Sequence, residues 1–135
     1  MRGRLLTAVG RAAAIPRAAL RGIRELRRRA DRADMLLGEL HAARTAAIAE
    51  ASSMSEIEFG VYSQWGEDGI LEYLVSRMDI PNEVFVEFGV QDYTEANTRF
   101  LLKRRNWTGL VIDSSAPNVR RIRSDPISQM YDLRT

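Results

Sequence analysis

The chain has no cysteine and a single histidine, His41. The first absence removes disulfides, thiolate zinc sites and a cysteine nucleophile together. The second leaves a serine triad without a base, because His41 sits in an alanine-rich stretch and no G-x-S-x-G elbow occurs. His41 therefore reads as a solvent-facing helix residue, and no metal site is expected. Long apolar runs are also missing: nothing approaches the roughly 20 residues that span a bilayer. A cytoplasmic chain, at most peripheral to a membrane, is expected.

Charge is unevenly spread. Residues 1–53 hold eleven Arg against five acids, whereas residues 54–135 hold nine cations against thirteen acids. The pI of about 9.4 thus describes a basic arm joined to an acidic domain, and an acidic domain does not attract a nucleic acid. The division reads as an arm, 1–53, and a domain, 54–135. Within the arm Ile23, Leu26, Ala30, Ala33, Leu37 and Leu40 recur at spacings of three and four, a heptad seam on a helix. Alanine in its middle makes it marginal for a coiled coil, so a helix docking on the chain's own domain is expected. Pro16 interrupts any helix before it, which leaves residues 1–15 as frayed or as a separate short turn. The Arg-rich start resembles a transit peptide or a helix lying on an anionic membrane. Leu5, Leu6, Ile15 and Leu20 are its main anchors and no aromatic joins them, so a solvated basic face is the preferred reading.

In the domain, Phe59, Val61 and Tyr62 alternate as a short strand or an extended lead-in. Residues 63–78 read as an amphipathic helix of about four turns, with Ser63 as N-cap, Glu67 and Asp68 in the first turn, and Trp65 packed in the core. Residues 84–90 (VFVEFGV) form a run suited to a strand buried on both faces. Residues 94–105 read as a helix capped by Thr94 or Asp92. Residues 110–112 make a second buried strand ending at Asp113, and residues 118–124 begin a helix that Pro126 curtails. Strand, helix, strand makes a βαβ unit, and the fold class expected is α/β, an incomplete Rossmann-like sheet preceded by an Arg-rich helical arm.

Ligands of open parallel sheets bind beyond the carboxyl ends of the strands. Here that place holds Glu87 and Gly89, where a missing Cβ lets a ligand approach the backbone. Asp113 stands 24 residues after Gly89 at the next strand end, close to the spacing of about 20 at which an acid meets ribose hydroxyls. The alternative is that Asp113 caps the segment after it, at 114–117.

The runs SQWGEDGILEYL, VFVEFGVQDYTEANTRFLL and NWTGLVIDSS, in this order and spacing, resemble the opening of FkbM-type methyltransferases, a branch of the class I S-adenosylmethionine-dependent fold. The resemblance covers about residues 59–123. It implies S-adenosylmethionine as cofactor, held by Glu87, Gly89 and Asp113, with Gln91, Asp92 and Glu95 as loop candidates. It also singles out Gln64 and Glu67, on the helix that lies over the cofactor cleft in that fold. Gln91 and Tyr93 stand where the family often has small residues. A complete class I sheet has seven strands, so the chain reads as an amino-terminal fragment, inactive alone. The implied reaction is methyl transfer, to oxygen of a small molecule or glycan. These residues offer no evident base and do not identify the acceptor. The competing reading is a non-catalytic nucleotide-fold module, or a helical interaction module whose basic arm contacts a membrane or a partner.

Overall fold

The computed structural model describes residues 16–135, so the reading of residues 1–15 lies outside the described residues. The described residues divide into two units, 16–32 and 33–135. Helix α1, Arg17–Ala47, is one continuous helix that begins directly after Pro16. In its first half Glu25 pairs with Arg28 and Arg29 one turn on, at exposed positions. Such solvent-exposed pairs contribute little to stability. Within the second unit, Met35, Gly38, Ala42 and Thr45 of this helix pack inward, whereas the heptad-seam residues are all exposed. This part of the helix docks on the chain's own domain, as expected, but on another face than the seam. Small side chains win at this contact because the approach is close: a Cβ on Gly38 would come within 2.7 Å of both Phe100 and Val61.

The second unit is mixed α/β, an open three-stranded parallel sheet with its helices on one face. The strands are β1 (Val84–Phe88), β2 (Thr108–Ile112) and β3 (Leu133–Arg134), in spatial order β1-β2-β3. Between them lie α3 (Arg99–Arg105), then α4 (Ala116–Ser124) and α5 (Ile127–Met130), while α2 (Glu67–Val75) precedes the sheet. Strand β3 was not legible, since two residues carry no periodicity. Phe85, Val111 and Leu133 supply the sheet's part of the core, against Leu101 and Leu102 of α3, Ile122 of α4 and Ile127 of α5. Gly109 belongs to the same face, where any Cβ would strike the Phe85 ring at 2.2 Å. The opposite face is open. Val84, Val86, Phe88, Leu110 and Ile112 are exposed there, which corrects the expectation of strands buried on both sides.

Two helices are shorter than their periodicity suggests. Residues 63–66 stay outside α2, whose N-cap is Gly66 at φ 98° and not Ser63. Asp68 causes the shift. Its Oδ2 accepts the backbone N–H groups of Val61, Tyr62 and Ser63 at 2.6, 2.7 and 2.9 Å, while Ser63 Oγ accepts the Asp68 N–H. The segment curls around the carboxylate, so Phe59, Val61 and Tyr62 form no strand, and Trp65 is left 76% exposed on the loop instead of packed in the core. Helix α3 likewise starts at Arg99, with Thr98 as N-cap and not Thr94 or Asp92. It ends at Asn106 in the left-handed conformation usual for a helix stop. Its last turn carries Arg104 and Arg105, both paired with the buried Glu72 of α2. Trp107 is buried just before β2.

Burial raises the pKa of Asp68, and the three N–H bonds only partly oppose it. A raised folded value means that the folded state holds the proton more tightly, so this group's contribution to stability falls as pH rises from the usual 3.8 through the folded value. Asp68→Ala strands three backbone donors and is expected to cost about 3 kcal/mol, a fall in Tm on the order of 15 °C. Asp68→Asn keeps an acceptor and loses less than half as much. Thermal melts from pH 4 to 8 check both points, and the Asn variant should gain on the wild type as pH rises.

Candidate functional site

The site grows from the carboxyl end of β1. Strand alternation puts Glu87 on the same face as Phe85, toward α3. One carboxylate oxygen accepts the Asn97 N–H at 3.0 Å, and the other accepts the Thr98 N–H at 3.0 Å and the Thr98 hydroxyl at 2.6 Å. A strand side chain thus caps the helix that follows. No cap hydrogen bond comes from the Thr98 side chain itself. The loop between is folded back on three left-handed residues, Gly89 at φ 75°, Gln91 at 52° and Tyr93 at 63°. Gln91 and Tyr93 hold there a conformation that usually calls for glycine. Tyr93 is compensated by full burial, and its hydroxyl lies 3.1 Å from Thr98 Oγ1. Burial pushes that phenol well above its ordinary pKa, with the Thr98 bond opposing.

Gln91 is compensated by Asp113. Its N–H donates to Asp113 Oδ2 at 2.8 Å, while Asp113 Oδ1 accepts the Ser115 N–H at 2.7 Å and the Asn118 amide at 3.2 Å. Asp113 therefore does cap the start of the next segment and also ties the β1 loop to the end of β2. The Ser115 bond chiefly holds its pKa below the usual range, with Asn118 and Gln91 adding to it. Asp92 is held low mainly by the Thr94 hydroxyl, which donates to its Oδ1 at 2.6 Å, and its other oxygen lies 3.9 Å from Arg121.

These turns enclose an open cleft of about 370 Å³. Its walls include Gln64, Glu87, Gly89, Gln91, Asp92 and Glu95, six of the eight residues singled out in the sequence. Phe88, Val90, Thr94, Ala96 and Asn97 complete them. The other two are placed differently. Asp113 stands behind Gln91, and Glu67 turns back on its own loop, accepting the Trp65 N–H at 2.9 Å. Among the described residues, the charged side chains lining the cleft are the carboxylates Glu87, Asp92 and Glu95. A Cβ on Gly89 would meet nothing within 4 Å, so the space beside its backbone is open. Among the described residues no group of three His, Asp or Glu side chains is placed to hold a metal ion. His41 is exposed, as expected, and stacks on Phe59 at 5.4 Å, away from this cleft.

Asn97 and Thr98 were missed as partners of Glu87. Their signal was present, since Thr98 stands two residues before the apolar run Phe100, Leu101, Leu102, but Thr94 four residues earlier offers the same capping pattern. No family model, curated protein or solved structure matches the chain. Removing the Glu87 carboxylate should release the cap: Glu87→Ala is expected to cost about 2–3 kcal/mol, and Glu87→Gln somewhat less. Hydrogen exchange at the Asn97 and Thr98 amides should accelerate at least about tenfold in the Ala variant. Unchanged protection would contradict the capping role.

Proposed function

We propose that this chain carries the cofactor-binding part of a class I S-adenosylmethionine-dependent methyltransferase of FkbM type, acting on an oxygen of a small molecule or glycan. The observation that carries the reading is an acid-lined cleft at the end of β1, tied through Gln91 to an Asp at the end of the adjacent parallel strand. S-adenosylmethionine brings an electrophilic methyl group on a sulfonium, and it bears a net positive charge. Three carboxylates with no lining cation suit such a ligand, because a wall of one sign raises the local concentration of the opposite charge. The strand order β1-β2-β3, with helices in the connections, matches half of a Rossmann-like sheet. Gln91 and Tyr93 also support the reading, since both adopt the left-handed backbone at positions where the resembled family often has small residues.

Fit to the cofactor turns on Asp113. A carboxylate offers about four acceptor positions, and three are taken here. The 3.2 Å Asn118 bond is the longest of them, and its release would leave one acceptor position open on each oxygen, as two ribose hydroxyls require. Gly89 leaves room at the backbone, and Asp92 and Glu95 supply negative charge to the cationic end. Gln64 supplies an amide to the wall. The task of these groups is to bind and orient, which is most of what an in-line displacement asks of a protein.

Isothermal titration of the full chain tests the reading. S-adenosylhomocysteine is expected to bind, and an analogue with an amine in place of the sulfonium should bind more tightly, with the advantage shrinking in salt and in Glu95→Gln. Asp113→Ala should weaken binding by more than about tenfold, through the lost charged acceptor. Asn118→Ala should leave binding unchanged or tighter. Equal affinity in wild type and Asp113→Ala, with both folded, would sink the ribose assignment.

A further inference from the structure

The apolar seam of α1 is exposed along its length, and of its residues Leu37 also lines a cleft beside Phe59 and Val61. Ile23, Leu26, Leu37 and Leu40 are 44, 68, 56 and 69% exposed, and Ala30 and Ala33 between them are exposed as well. The same helix uses a different side for its contact with the sheet unit: at 100° per residue the mean direction of Met35, Gly38, Ala42 and Thr45 lies roughly 130° from that of the seam. Docking therefore leaves the seam available. No helix among the described residues is long and apolar enough to cross a membrane.

We propose that the seam pairs, antiparallel, with the same seam on a second copy of this chain. Its order is self-complementary about the point between Ala30 and Ala33. An antiparallel copy sets Ile23 against Leu40, Leu26 against Leu37 and Ala30 against Ala33. Large side chains meet large ones at both ends, and the central alanines let the two backbones approach closely. A two-fold axis through that point makes the contact isologous and closed, as in most dimers. Charge selects the direction. Residues 17–32 hold seven Arg against two acids, whereas residues 33–47 hold one Arg against two acids. A parallel pair would stack the Arg-rich halves on each other, whereas an antiparallel pair sets each against the other copy's acidic half. It also brings Arg27, beside the seam, toward Asp34 of the other copy, twice by symmetry. The contact is short, about 26 Å from position 23 to position 40, so a dissociation constant in the micromolar range, roughly 1–100 μM, is expected.

Sedimentation equilibrium on the full chain tests this. A monomer–dimer equilibrium is expected, with Leu26→Glu and Leu37→Glu each weakening it at least about tenfold, and Met130→Glu, an exposed site off the seam, leaving it unchanged. Both seam positions are exposed, so folding should survive, and circular dichroism checks that. Because the chain has no cysteine, engineered thiols report direction cleanly. An equimolar mixture of Leu26→Cys and Leu37→Cys should oxidise to a cross-linked dimer, while either alone should not. A monomer at about 100 μM overturns the proposal. So does a dimer indifferent to both Glu variants, cross-linking of either Cys variant alone, or a monomer that uses the seam to bind anionic phospholipid vesicles.

Discussion

A single carboxylate, that of Glu87, sets the geometry on which the cleft depends. It leaves the end of β1 and holds two backbone N–H groups and one hydroxyl at the start of α3, so strand and helix meet at a fixed distance. The intervening residues must then turn back within a short span. That requirement is what drives Gly89, Gln91 and Tyr93 into left-handed backbone. Strain of this kind costs of order 1–3 kcal/mol per non-glycine residue and persists only where surrounding contacts over-determine it. Here the contacts are the burial of Tyr93 and the Gln91 bond to Asp113.

Glu87 is one of three carboxylates used in the same way. Asp68 gathers three N–H groups ahead of α2, and Asp113 gathers two across the ends of β1 and β2. Each closes a loop where backbone donors have no helical or sheet partner, and each sits on the side of the molecule's chemistry that an excess of acids in residues 54–135 makes available. Charge-assisted bonds of this type are stronger than neutral ones. At Glu87 and Asp113 they also leave the acid a poor candidate for a general base, because three hydrogen bonds occupy each carboxylate.

This use of carboxylates also explains how much was legible in the sequence. The β1 run, the apolar stripe of α2 and the β2 run declared their elements through period and β-branching. The cleft residues around Gly89 followed from where strand ends place ligands. Boundaries failed wherever an acid reached across the chain: Asp68 bonds five to seven residues back, and Glu87 ten and eleven residues ahead, beyond what local capping patterns describe. The α1 docking face failed for another reason. Its contact depends on the absence of bulk at Gly38 and Ala42, whereas periodicity counts only bulk.

The proposed role of this carboxylate-built loop is to bind a cationic nucleoside cofactor. Amide chemical-shift mapping on the labelled chain during addition of S-adenosylmethionine tests that role. Saturable shifts are expected at Gly89, Gln91, Asp92, Glu95 and Asn97, with Asp113 and Ser115 following and Ile122 in the core unmoved. Saturating shifts elsewhere, or none at millimolar ligand, on the order of 1 mM, would contradict it.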